Sequence, residues 1–271
     1  MGLRVNTNLF SLTAQRNLGN ASELLGGNYA RLSSGLRIAT AADDAAGLGV
    51  SERLRSQIRS LGQAGRNAQD GISLAQVAEG ALNEVSSNLI RMRELSIQAA
   101  NETLSAEDRD AIDVEFQALD DEINRIATST EFNGTVLLNA TGSIDIQVGI
   151  DSGQTISVDT QDVRSATLGI ATLDVDTAAN AVASLDDLDT AITSVNTARG
   201  NLGAVQNRLS SAFRSIQNTR EGISAAESRI RDVDVASETS KLTRNSIIQQ
   251  AAVSILAQAN TQPQLALSLL G

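Results

Sequence analysis

Residues 54–89, LRSQIRSLGQAGRNAQDGISLAQVAEGALNEVSSNL, decide how this chain folds. Leu54, Leu61, Ala68, Ala75, Leu82 and Leu89 recur every seventh residue. An apolar repeat held that long puts one stripe along one side of a long helix, and a helix cannot bury its own stripe. The same repeat returns in the second half at Leu188, Val195, Leu202, Leu209, Ile216, Ile223 and Ile230. The two halves must pack on each other or on neighbours, and these positions are the candidate core of a rod. Such a rod offers surface and assembly rather than a pocket.

Inside the first repeat the companion apolar position moves from four residues later, at Ile58 and Ile72, to three, at Ala78, Val85 and Met92. The second makes the same change, from Ile192 to Val205, Ala212 and Ala226. The shift predicts two working faces, one in the intramolecular seam and one elsewhere.

Outward from these helices, residues 3–33 read as an amphipathic helix with Phe10, Ala14, Leu18, Ala21, Leu25 and Leu32 on one face. Gly35 is placed to close it in the left-handed conformation. Thr40 and Asp43 stand in the capping-box relation, so the long helix should begin within 41–46 and run to about Asn101, roughly 80 Å. Ser105 and Asp108 repeat that relation before Ile112, Phe116, Leu119, Ile123 and Ile126, predicting a shorter helix that folds back. From Asn133 the period becomes two, at Ile144, Ile146, Val148 and Ile150 and again at Ile156 and Val158, which predicts one β-hairpin near 134–160. Residues 160–180 read as loop. The second long helix should start near 177 and end at Asp232-Val233-Asp234. A last amphipathic helix, capped by Ser237, carries Leu242, Ile248, Ala252, Ile255, Leu256 and Ala259. Pro263 should kink or finish it, and Leu265, Leu267, Leu269 and Leu270 leave an apolar end that wants a partner.

Composition narrows the chemistry. The 271 residues carry a net charge of −11 and 2% aromatics. No basic cluster with interleaved aromatics offsets that charge, so nucleic acid is not expected as a partner. There is no Cys, His or Trp, which removes the common zinc ligands and the usual base for a Ser or Cys nucleophile. No cofactor, metal or catalytic residue is expected. The adjacent acids Asp43-Asp44, Asp120-Asp121 and Asp186-Asp187 point about 100° apart on a helix and read as caps or solvated faces. Asp174 with Asp176, and Asp232 with Asp234, lack the twelve-residue calcium pattern. Met1 to Phe10 has no signal-peptide character, and no apolar run is long enough to insert in a membrane. Asn133-Gly134-Thr135 and Asn139-Ala140-Thr141 match the N-glycosylation pattern, and the glycine fits a turn.

Several stretches resemble bacterial flagellin. They are Asn6-Thr7-Asn8, Leu32-Ser33-Ser34-Gly35-Leu36-Arg37-Ile38, Ala42-Asp43-Asp44-Ala45-Ala46-Gly47, Arg93-Glu94-Leu95, Phe132-Asn133-Gly134 and Ala257-Gln258-Ala259-Asn260-Thr261-Gln262-Pro263. The resemblance covers about residues 1–140 and 180–271. It implies a mainly α fold: an elongated, antiparallel long-helix bundle, coiled-coil-like, with one small β-hairpin, plus a pair of terminal helices forming an inner domain. On that likeness 1–44 pairs with 234–271 and 45–233 forms the outer rod, in a minimal member without inserted surface domains.

The implied function is that of a structural subunit polymerising into the extracellular flagellar filament for swimming motility. Such a chain is exported unfolded and assembles by burying its amphipathic terminal helices, with Phe10, Ala14, Leu18, Ala21, Leu25, Leu32, Ile248, Ala252, Ile255, Ala259, Leu269 and Leu270 as the packing and polymerisation residues. The implied partners are further copies of the chain, an export chaperone on about 238–270, and the filament cap and hook-filament junction proteins. A vertebrate Toll-like receptor is a further implied partner, at Arg91, Leu95, Gln98 and Glu115. The rival reading is a hook-filament junction protein, which shares the terminal helices. An acid-based glycan hydrolase would need paired carboxylates from separate elements, and none stands out.

Overall fold

The computed structural model describes residues 7–268, with side chains described through Gln262. Its elements are α1 (Leu9–Ser34), α2 (Ala45–Ala99), α3 (Ala106–Ser129), β1 (Glu131–Phe132), β2 (Thr135–Val136), β3 (Gly142–Gln147), β4 (Thr155–Thr160), α4 (Ser165–Leu168), α5 (Ala178–Arg231) and α6 (Val235–Ser268). The fold is mainly α. Two compact units divide it, one of Met1–Ser56 with Gly222–Gly271 and one of Gln57–Glu221.

The second unit holds the main core. Leu61, Leu82 and Leu89 of α2 and Leu188, Val195, Leu202, Leu209 and Ile216 of α5 are all buried, as the seven-residue repeat predicts. The two helices run antiparallel, since Ser96 meets Ser184 hydroxyl to hydroxyl at 3.0 Å while Gln206 donates to Glu79 at 2.8 Å. The +3 companions Ala78, Val85 and Met92 are buried with them, and in α5 the +3 positions Ala191 and Ala198 are already inside. Leu54, Ile223 and Ile230, read as rod core, fall in the first unit and are half-buried.

Helix α3 begins with the capping box expected of Ser105 and Asp108, both reciprocal bonds being present. It buries Ile112, Phe116, Ile123 and Ile126. β3 and β4 pair antiparallel with Ile144 opposite Val158 and Ile146 opposite Ile156. The hairpin lies close on α2 because Gly71 has no side chain: a Cβ there would come within 3.0 Å of Ile146 and 3.2 Å of Leu209.

Two features of this unit go beyond the expectation. β1 and β2 form a second small hairpin whose turn is Asn133-Gly134, both at positive φ, the backbone that a two-residue connection of this hand demands. The 160–180 segment contains α4, closed by Gly169 at φ 77°. Four residues carry too little periodicity for such a turn to be read from sequence.

In the first unit Asn8 caps α1 by accepting from the Ser11 N–H at 3.1 Å, and Gly35 ends it at φ 71°. The exit from α1 is stitched to the link between α5 and α6: Arg37 N–H donates to the Arg231 carbonyl at 2.7 Å and Val233 N–H to that of Gly35 at 3.0 Å. Asp44, rather than the Thr40 and Asp43 pair, caps α2, taking the Gly47 N–H at 2.8 Å. Asp43 instead closes the preceding turn onto Ala39 and Thr40. Asp234, not Ser237, caps α6, because its carboxylate already takes the N–H groups of Ala236 and Ser237 at 3.0 and 3.2 Å. α6 also does not finish at Pro263 but continues to Ser268.

Candidate assembly surface

α1 and α6 pack antiparallel, and their seam follows one seven-residue pattern on each helix. On α1 the buried and half-buried positions include Ser11, Ala14, Leu18, Ala21, Leu25, Asn28 and Leu32; on α6 they include Glu238, Leu242, Asn245, Gln249, Ala252, Leu256 and Ala259. Both series step by three and four, the spacing of two helices meeting along a narrow seam. Alanine dominates one end, so the helices approach closely there.

The other end is polar. Asn28 donates to Glu238 at 2.5 Å and accepts from Asn245 at 2.6 Å, while Lys241 sits 3.1 Å and Arg31 3.8 Å from the same carboxylate. Burial pushes the Glu238 carboxyl up, but the Asn28 amide and the two cations outweigh it and hold it below the usual carboxylate range. Ser11, Asn28 and Glu238 belong to the seam although a search for apolar residues passes them over. The unbroken three-four spacing through positions 11, 28 and 238 was the signal that could have found them.

Among the described residues, the large apolar side chains left out of this seam face away. Phe10 is 59% exposed and Ile255 59%, and Leu9, Leu12, Leu24, Tyr29, Ile247, Ile248 and Val253 are exposed with them. Of the residues assigned to packing and polymerisation, Ala14, Ala21, Ala252 and Ala259 are buried. Leu18, Leu25 and Leu32 are half-buried in the seam. Phe10, Ile248 and Ile255 remain on the outside, and Leu269 and Leu270 lie outside the described residues.

A groove of about 420 Å³ along Asn17, Leu24, Ile248 and Ile255 adjoins a cleft of about 850 Å³ edged by Glu23, Arg31, Lys241 and Arg244, the two sharing Asn20, Leu24 and Asn245. An apolar groove with Leu24, Ile248 and Ile255 beside a charged cleft has the make-up of an interaction site, where exposed apolar surface is rimmed by polar groups.

The second unit shows another exposed face. Arg91 bonds Glu115 across helices at 2.8 Å and Glu94 at 3.1 Å, both raising its pKa, Glu115 more. Gln98 is exposed nearby in sequence, as are Ile90, Ile97 and Val114. Leu95 is only 1% exposed and sits in the core; it lies one turn from both Arg91 and Gln98, about 40–60° round α2 from them, where the solvent-facing side turns in to the core. Of the four residues assigned to receptor contact, three are on the surface and Leu95 is not.

Of the acids weighed for chemistry, Asp43, Asp44, Asp174, Asp176 and Asp234 are held in local side-chain bonds. Asn180 bridges Asp174 and Asp176 at 2.6 and 3.0 Å. Burial raises the pKa of Asp120, one of whose oxygens has no partner. A pocket of about 320 Å³ between the β3–β4 hairpin and the long helices has Asp159 as its one titratable side chain. Among the described residues no group of three or more His, Cys, Asp or Glu is placed to hold a metal ion, and no helix is long and apolar enough to cross a membrane.

Seams filled with small residues, capped helix ends and outward apolar rows define a helical structural protein that works through contact with other protein surfaces. Comparison with known proteins gives that class its family. The model for the bacterial flagellin N-terminal helical region matches residues 5–143, and that for the C-terminal helical region matches residues 185–270. A flagellin from Halalkalibacterium halodurans is 48% identical over 271 residues, 98% of this chain and 99% of the relative. The flagellar filament 30.7 kDa core protein of Treponema maltophilum is 43% identical over 98% of this chain and 99% of its own. Among solved structures, Bacillus cereus flagellin superposes with a TM-score of 0.52 at 38% identity, covering 56% of this chain and 88% of that one. The chain belongs to the bacterial flagellin family.

Proposed function

We propose that this flagellin, a structural subunit of the bacterial flagellar filament, polymerises by laying the exposed apolar face of the α1/α6 pair against neighbouring copies. One observation carries the reading: the pair has already filled its own seam, yet Phe10, Leu24, Ile248 and Ile255 stay outside it. Each of these side chains is about half exposed, so covering it with a neighbour contributes roughly 1–1.5 kcal/mol, about half the value for burial from full exposure. The helix pair belongs to an inner domain of about 1–44 and 234–271, and residues 45–233 to an outer rod domain. The alternative of a hook-filament junction protein is not favoured, since flagellin relatives match nearly the whole chain.

The flagellar filament is extracellular, and the chain reaches it by export in an unfolded state. A chain without cysteine suits that route, having no disulfide to form early. The family pattern gives the partners: the export chaperone on the C-terminal segment, the cap at the growing tip, and the hook-filament junction proteins. Recognition by a Toll-like receptor rests on Arg91, Gln98 and Glu115, which share exposed positions on α2 and α3.

The test is elongation of sheared filament seeds by added monomer, imaged by electron microscopy. The full chain extends the seeds and a chain lacking residues 1–33 does not. Growth at an equal rate without those residues would remove α1 from the mechanism.

A further inference from the structure

Two of the stretches that carry the family likeness, one at each end of the chain, meet at Asn8. Its Oδ1 caps α1 by accepting from Ser11 N–H at 3.1 Å. Its Nδ2 donates to the carbonyl of Ala259 at 2.7 Å, 251 residues away in sequence. That carbonyl differs from its neighbours. In a regular helix it would accept from the N–H of residue 263, but residue 263 is a proline inside α6 and has no hydrogen to give. Ala259 is buried, so a carbonyl left without a donor there is costly. One turn along α1, the Ser11 hydroxyl donates to Asn260 Oδ1 at 2.7 Å and holds the same junction.

We infer that Asn8 is a positioning residue whose side-chain amide replaces the hydrogen bond that Pro263 removes from α6, and so fixes the register of α1 on α6. Asparagine alone suits both tasks. Asp, Ser and Thr cap a helix as well, but Asp has no donor and a hydroxyl is an atom shorter. The consequence for assembly rests on the polymerisation reading above, because register decides which residues of the two helices line up on the outward face.

The inference makes the role of Asn8 conditional on Pro263. Asn8→Asp keeps the cap and deletes the donor. Pro263→Ala restores an N–H to residue 263 and makes the donor unnecessary. Four full-length chains are compared: parent, N8D, P263A and N8D/P263A. In seeded growth, N8D raises the monomer concentration left at equilibrium about tenfold, as one unpaired buried carbonyl implies, and the double variant returns to within about twofold of P263A.

Backbone hydrogen exchange of residues 256–262 follows the same pattern. It is read in the filament, or in the monomer if the parent does not elongate seeds. N8D and N8D/P263A defective to the same degree, or four chains with equal exchange, would overturn the clamp. A parent that fails to grow, with N8D exchange raised and rescued, would instead remove the polymerisation reading and leave the clamp in place.

Discussion

Leu95 and Arg91 stand one helical turn apart on α2 and do different work. Leu95 is 1% exposed within the core, whereas Arg91 is on the surface between Glu94 and Glu115. Leu95→Ala should therefore cost about 2–5 kcal/mol of unfolding free energy by leaving a cavity, read as a shifted denaturant midpoint, while Arg91→Ala leaves the midpoint nearly unchanged. Loss of receptor signalling in Leu95→Ala would consequently report on folding, and Arg91→Ala is the informative variant for recognition. Asp43 makes a second prediction. Backbone and hydroxyl bonds from Thr40, then Ala39 and Arg31, lower its pKa to about 2. Because the folded value lies below the unfolded one of about 3.9, its stabilising contribution is complete above about pH 4 and disappears as pH falls through about 2. A carboxyl titration followed by NMR should show the low midpoint. A midpoint near 4 would mean that the turn at 39–43 is open in solution.

The pairing of α1 with α6 depends on its polar layer. Asn28 supplies a donor to the buried Glu238 and an acceptor to Asn245, so the two helices satisfy one another only in this register. Asn28→Leu alone should destabilise the pair, since it leaves Glu238 short of a partner. Asn28→Leu with Glu238→Leu should recover the thermal midpoint while allowing other registers and lowering the rate of seeded growth, since polar layers more often fix register than add stability. A double variant as unstable as the single one would show that the layer supplies stability instead. Element by element, long helices were legible in the sequence: the stripes of α2 and α5, the Ser105 box and the Gly35 stop are local signals. The caps of α2 and α6 moved by four and three residues, from Thr40 to Asp44 and from Ser237 to Asp234, because several acids and hydroxyls compete there and only the backbone path selects one.

For the whole molecule, the prediction is a separation of folding from assembly. Phe10→Ser, Ile248→Ser and Ile255→Ser together should leave the cooperative unfolding of the Gln57–Glu221 unit unchanged and abolish elongation of seeds, because those side chains lie outside both cores. Elongation at the parent rate would exclude this face from the filament contacts. The apolar faces themselves were readable, since periodicity places residues on one side of a helix without knowledge of what covers them. Sequence by itself determined the five longer helices, a hairpin within 134–160, the lack of thiol and imidazole groups, and the family, all of which follow from local pattern and composition. Only the tertiary structure decided which apolar residues are buried inside the molecule and which stay exposed. It also brought Asn8 to the carbonyl that Pro263 leaves unpaired, and turned Leu95 inward. Those outcomes depend on which helix faces meet, a relation between residues up to 251 positions apart that no local period encodes.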